Sequence, residues 1–378
     1  MELYNLQPLA QILGLGLLVA GVPLAWFWRR QRHASPRRRL QALTLLVLAL
    51  TFELVLVGAF TRLTDSGLGC PDWPGCYGSA SPLGAQPHID MAQLVMPDGP
   101  VTHRKAWIEM VHRYLATSVG FLIMVLAVWT WRVWRRQAAQ AVHPGWPVLT
   151  LFWVCLQGAF GALTVTMKLF PLVVTLHLLL AVGLLGLLTL QSVRYQGWAE
   201  HPMPSGTRTL AWLGLVLLGL QIALGGWVST NYAVLACRDF PTCQGQWWPT
   251  MSWQGFVLWR HLGLDGDGQP LAFEALVSIH HLHRSMAWLV LAVLLGLVWR
   301  LNRLEGLLQT QARWLLGLCV LQLLTGLSNV VLGWPLLAAL MHTGGASALV
   351  VLLVRVLACS RSFTDRQLAC ADTSGSVA

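Results

Sequence analysis

Apolar runs of about 20 residues, the length that crosses roughly 30 Å of hydrocarbon, recur along this chain between short polar connections. They begin near Gln11, Leu40, Trp107, Val148, Leu172, Thr209, Glu274, Ala312 and Leu336. The runs are continuous and do not alternate with a period of two. The pattern therefore predicts nine membrane-spanning helices and not a β-barrel. The expected fold class is an all-α polytopic membrane protein. Two longer polar loops, roughly 62–106 and 231–273, interrupt the series. The first run has no basic segment ahead of it and a dense basic cluster behind it, so it is expected to persist as a helix and not to be removed as a signal peptide.

Composition sharpens this picture. The chain has 378 residues, 56% hydrophobic and 11% charged, against about 45–50% and 25% in soluble domains. That balance excludes a water-soluble globule, a disordered chain and a coiled coil. The net charge of +10 does not point to nucleic acid, because the basic residues cluster between apolar runs. They stand at Arg29, Arg30, Arg32, Arg37, Arg38 and Arg39, then at Arg132, Arg135 and Arg136, then at Arg194 and Arg208. Arg300, Arg303 and Arg313 follow, and Arg355, Arg361 and Arg366 close the series. By the positive-inside rule these segments face the cytoplasm. The two long loops then lie outside, with the C-terminus inside.

The chain also resembles itself. Gly58-Ala59-Phe60-Thr61 closes the second apolar run and Gly225-Gly226-Trp227-Val228 the sixth. Cys70 and Cys76 recur as Cys237 and Cys243 at an offset of 167. His112-Arg113 is matched by His283-Arg284, Gln157 and Gly161 by Gln322 and Gly326, and His177 by His342. Landmarks in one order at a near-constant offset indicate an internal duplication. The expected organisation is an extra N-terminal helix with a basic cytoplasmic linker (1–39), two four-helix repeats (40–195 and 208–358) and a polar cytoplasmic tail (359–378). Repeats with an even number of spans share one orientation, related by an axis along the membrane normal.

Ionisable groups inside a span are costly and usually functional. His112, His177, His283 and His342 fall at one level, roughly 8–14 Å below the outer surface at 1.5 Å per residue. Side chains facing one another at matched depth are how helical bundles build cofactor sites. Two imidazoles per repeat suit the axial ligation of a heme iron between apolar walls. Zinc is disfavoured, since two ligands per half are too few. Arg113 and Arg284 are candidates for pairing with heme propionates. The halves differ three residues before the first histidine, on the same helix face: Glu109 stands in one and His280 in the other. A carboxylate beside only one pocket places the chemistry in the first repeat, where it could take or give protons. Glu53 is a second carboxylate within a span, without an assigned role. His280 and His281 crowd His283, whose Arg neighbour favours it as the ligand.

Of the eight cysteines, Cys155, Cys319 and Cys359 read as packing residues and Cys370 as a reduced thiol of the tail. Cys70 with Cys76, and Cys237 with Cys243, each span five residues of an outer loop and read as disulfides.

The stretch Thr61-Arg62-Leu63-Thr64-Asp65-Ser66-Gly67-Leu68-Gly69-Cys70-Pro71-Asp72-Trp73-Pro74, together with Glu109-Met110-Val111-His112-Arg113, the Cys237–Cys243 loop and His281-Leu282-His283-Arg284, resembles the heme A synthase family over about 40–358. The resemblance implies an eight-helix core with a pseudo-twofold axis, and oxidation of one porphyrin methyl of heme O to a formyl group through a hydroxymethyl intermediate. It implies that His112 and His177 flank the substrate heme, that Glu109 is the catalytic carboxylate, and that His283 and His342 ligate a heme b. Cys70 and Cys76 would be the family's first-loop disulfide. It further implies heme O synthase, an electron donor (ferredoxin-like or quinol) and the cytochrome oxidase assembly machinery as partners, and leaves room for a homo-oligomer. The extra helix near 11–28 departs from the eight-helix pattern. Two other classes use many of the same residues. A di-heme electron carrier needs the four histidines but not Glu109, and a quinone-linked thiol oxidase would rest on the outer cysteines.

Overall fold

The computed structural model describes residues 7–137, 143–197 and 201–363. Among these, nine helices are long and apolar enough to span a membrane, and each begins within about five residues of its predicted start. They are α1 (Gln7–Gln31), α2 (Pro36–Leu63), α4 (His103–Arg136), α5 (Gly145–Thr166), α6 (Pro171–Gln196), α7 (Ser205–Thr230), α8 (Phe273–Leu301), α9 (Leu307–Val331) and α10 (Leu336–Ala358). A short tenth helix, α3 (Gln86–Val95), lies in the first long loop, where the polar character of the segment gave no helical signal.

Local chemistry sets the boundaries. Ser35 caps α2, its hydroxyl accepting from the Arg38 N–H, and Pro36 opens the first turn. Thr102 caps α4 in the same way through Lys105. Both satisfy backbone donors that a helix start leaves open. Gly197, in the left-handed conformation at φ 64°, ends α6. Arg29 and Arg30, Arg135 and Arg136, Arg194, Arg300 and Arg355 occupy the last turns of α1, α4, α6, α8 and α10. Cations there complement the negative end of the helix dipole.

Helices α2, α4, α5 and α6 close into one four-membered ring and α7, α8, α9 and α10 into another. In the first, α4 stands diagonally across from α6; in the second, α8 stands across from α10. The rings meet through α6 against α10, α6 against α7 and α10 against α2, and α1 packs outside the first ring against α4. Each ring has a solid aliphatic core toward the arginine-rich end. Val47, Leu122, Leu126 and Leu188 fill one, and Leu218, Leu294, Leu315 and Leu353 the other.

At that end the chain differs from expectation in one place. Ser360–Phe363, read from sequence as the start of a polar tail, forms a strand paired in parallel with His201–Pro204. Arg208 fastens the pairing, donating to the carbonyls of Leu357 and Ser360 at 3.2 and 2.5 Å. The remainder of the tail, with Cys370, lies outside the described residues.

Candidate functional site

The four histidines stand near the loop-bearing ends of α4, α6, α8 and α10. His112 and His283 fall nine and ten residues into their helices, and His177 and His342 each six. The diagonal placement turns the two imidazoles of each ring toward the same interior. His112 and His177 lie within electrostatic reach of one another, as do His283 and His342.

Each ring also rests against a glycine of the adjacent helix. A Cβ on Gly58 of α2 would stand 3.1 Å from His112 Nε2, and one on Gly225 of α7 3.0 Å from His283 Cε1. A Cβ on Gly161 of α5 or Gly326 of α9 would stand 3.2 Å from Cε1 of His177 or His342. Only glycine lets the helices approach this closely over an imidazole. Val119, Leu184, Val290 and Leu349 are each buried seven residues beyond the histidine of their helix. Both sites therefore have an aliphatic floor two turns deep and four half-buried imidazoles above it.

A loop lies over each site, and the two loops are built alike. Cys70–Cys76 and Cys237–Cys243 are disulfide-bonded. The Cys70 N–H donates to Glu109 Oε2 at 2.8 Å, and the Cys237 N–H to His280 Nδ1 at 3.4 Å. Arg113 donates to the carbonyls of Asp72 and Pro74 at 3.1 Å each and also to that of Gly75. Arg284 does the same for Pro241 and Thr242 at 3.2 and 3.1 Å. Arg113 further pairs with the carboxylate of Glu109, which is buried at 3% exposure. The arginines thus anchor the loops. Arg284 keeps one buried nitrogen, Nη1, without a partner among the described residues, and His177 Nδ1 is buried in the same condition.

The crowding around His283 resolves by direction. His280 faces the loop, and His281 stands edge-on to Trp248 with centroids 5.5 Å apart. His283 is the one paired with His342. Glu53 is exposed on the outer face of α2 and belongs to neither site. Cys319 and Cys359 are buried, as packing residues should be, whereas Cys155 is exposed on α5. Sequence reading missed two polar contacts. Gln221 Nε2 lies 3.1 Å from His283 Nδ1 and 3.1 Å from the His283 carbonyl. Thr325 Oγ1 lies 3.0 Å from His342 Nδ1. An amide within an apolar run, four residues before a matched glycine, was the signal available for the first.

Comparison with known proteins follows these features. The chain matches the COX15-CtaA family, described as cytochrome oxidase assembly protein, over residues 41–354. It is 38% identical to a heme A synthase of Shewanella oneidensis over 82% of this chain and 93% of that protein. It is 30% identical to a heme A synthase of Methylobacterium sp. over 85% of this chain and 92% of that one. The match spans both rings and both disulfide loops. The chain belongs to the heme A synthase family of cytochrome oxidase assembly proteins.

Proposed function

We propose that this chain converts heme O to heme A in the ring of α2, α4, α5 and α6, and that the ring of α7 to α10 carries an electron-transferring heme b. The residues fit the group. Each ring offers two facing imidazoles, a glycine opposite each that leaves room over the ring, an aliphatic floor, and a buried nitrogen still seeking a partner, His177 Nδ1 in one and Arg284 Nη1 in the other. His112 and His177 flank the substrate porphyrin; His283 and His342 hold heme b. When bound, heme b supplies the one-electron redox chemistry that no side chain can.

The reaction takes a methyl to a hydroxymethyl and then to a formyl group, two electrons at each stage. Water supplies the oxygen atom at the first stage, and two protons leave at each. Glu109 is the proton acceptor. Its carboxylate is fixed by the Cys70 N–H and by Arg113, one helical turn from His112 on the same face of α4. The aliphatic floor and the disulfide loop keep bulk water from the methyl. Heme O, being apolar, enters sideways from the lipid bilayer after its own synthase, and the oxidised form of a ferredoxin-like or quinone/quinol partner accepts the four electrons. The C-terminus lies in the cytoplasm and the disulfide loops in the periplasm of a bacterial inner membrane, a reading that the arginine-rich helix ends support.

One observation carries this reading against a two-heme electron carrier. The rings repeat their histidines and glycines, yet differ where Glu109 faces one loop and His280 the other. The test is a chromatogram of hemes extracted from protein made with a heme O source, beside a Glu109→Gln variant. Wild type should contain heme A, while the variant should keep heme b and accumulate heme O. Wild-type yields of heme A from the variant defeat the role of Glu109, and two equivalent b hemes with no heme A in the wild type favour the carrier.

A further inference from the structure

The rings match in their histidines but not in what touches them. In the second ring both Nδ1 atoms are engaged by a side chain, His283 by Gln221 and His342 by Thr325. The Thr325 hydroxyl donates its own proton to the Leu321 carbonyl at 2.7 Å, so toward His342 it is an acceptor. That sets the proton of His342 on Nδ1 and presents the Nε2 lone pair to the ring interior. Gln221 bridges Nδ1 and the carbonyl of His283, and its buried Oε1 has no other partner among the described residues. The contact holds the His283 imidazole in orientation from its outer nitrogen.

The first ring lacks both contacts. Counting back by the offsets of the matched glycines, Leu54 occupies the place of Gln221 and Phe160 that of Thr325. His112 has no hydrogen-bonded partner among the described residues, and His177 Nδ1 is buried without one. The side chain of Gln157 instead lies 3.4 Å from Nε2 of His177, whereas that of its counterpart Gln322 donates to the His342 backbone carbonyl at 2.9 Å.

A hydrogen bond to the outer nitrogen of a ligating histidine fixes its tautomer and orientation and raises its basicity. Resting on the assignment of the four histidines as iron ligands, we propose that Gln221 and Thr325 are positioning residues that make the second ring a permanent heme site. Leu54 and Phe160 leave the imidazoles of the first ring unbraced, so that a porphyrin there is exchangeable, as a substrate and its product must be. The sorting of resident from transient heme is thus written in four side chains, none of which touches iron.

The experiment uses purified full-length holoprotein and follows two quantities, the rate of heme transfer to apomyoglobin and the reduction potential of the low-spin heme. The near-isosteric variants Thr325→Val and Gln221→Leu should lose heme from the second ring roughly 10- to 100-fold faster. Their potential should move upward, because a less basic imidazole favours ferric iron less. Thr325→Ser keeps the hydroxyl and should restore both. Leu54→Gln with Phe160→Thr, in a His283→Ala background that removes the second site, should slow heme release from the first ring. His342→Ala is the arm that tests the underlying assignment. If it abolishes the low-spin spectrum while Thr325→Val and Gln221→Leu change neither rate nor potential, the positioning role is overturned and the ligands stand. If His342→Ala leaves the spectrum intact, the ligand assignment falls and the proposal with it.

Discussion

Glu109 and His280 each take the N–H of the first cysteine in a loop, at 2.8 and 3.4 Å. An uncharged acceptor suffices for that one N–H, as at His280, so the negative charge at 109 serves its pairing with the loop anchor Arg113. The two duties separate by substitution. Glu109→Gln keeps an oxygen for the Cys70 N–H but leaves Arg113 without its carboxylate, and should lose about 1–3 kcal/mol in detergent. Glu109→Ala strands the buried Cys70 donor as well and should lose about 1–3 kcal/mol more. Equal losses in both would leave the Cys70 contact without a stabilising role. Asp239 carries a comparable test in pH. The Thr242 hydroxyl, with help from the N–H groups of Gly245 and Gln244, holds its carboxyl down at about 2 from the usual 3.8. A folded value below the unfolded one stabilises the loop above the unfolded value, and the benefit disappears as pH falls through about 2. Amide protection at Gln244 and Gly245, corrected for intrinsic rate, should be the same at pH 5 as at pH 7. It should be lower at both in Asp239→Asn. Wild-type protection already failing at pH 5 would overturn this account.

Between helices, the informative feature is the glycine opposite each histidine. Gly225→Ala would place a methyl 3.0 Å from the His283 ring, whereas Gly219→Ala, about three turns from the loop-bearing end of the same helix, would meet nothing within 4 Å. Overpacking of this kind costs about 1–3 kcal/mol and shifts the crowded group. Gly225→Ala should therefore lose low-spin heme absorbance with α7 still helical by circular dichroism, while Gly219→Ala should match wild type. Retained absorbance in Gly225→Ala would show that the imidazole needs no such close support. This is also the scale at which the sequence stops being legible. Span positions, the histidine pairs and the cysteine loops follow from periodicity, offset and spacing, which depend on one chain direction only. Whether a guanidinium reaches a loop carbonyl depends on how the loop folds back over the helix, and both Arg113 and Arg284 hold such carbonyls. The contacts of Gln221 and Thr325 depend on the rotation of α7 and α9 about their axes. The weak amphipathicity of a helix wet by lipid on one side and protein on the other does not report that rotation.

At the scale of the whole molecule, the relation between the rings can be tested where they touch. Arg62 donates to the Ser229 carbonyl at 2.5 Å, and the Tyr232 hydroxyl donates to Asp65 Oδ1 at 2.5 Å; each pair is separated by 167 residues. That separation equals the offset of the cysteine pairs, so each residue meets its own counterpart in the other repeat. Only residues beside a twofold axis do so, as in an isologous dimer interface. The pseudo-axis thus runs past the loop-bearing ends of α2 and α7, and it continues between α6 and α10, which carry His177 and His342. The arrangement is equal in shape and unequal in chemistry. Arg62 also lies over the Tyr232 ring, 4.2 Å from its centroid, and pairs with Asp65 at 3.9 Å. Three groups from two repeats therefore share one contact, and groups that share partners do not act additively. Asp65→Ala and Tyr232→Phe, measured singly and together by thermal unfolding of the holoprotein in detergent, should show a coupling of about 0.5–1.5 kcal/mol, the net worth of a hydrogen bond. Neither change should alter the heme absorbance of either ring, because both residues lie outside the histidine layer. Additive losses would mean that the rings are held only by the packing of α6 and α10 against each other and against α7 and α2, while a heme spectrum that moved with Tyr232→Phe would mean that the axis contact sets the geometry of the pockets as well as their docking.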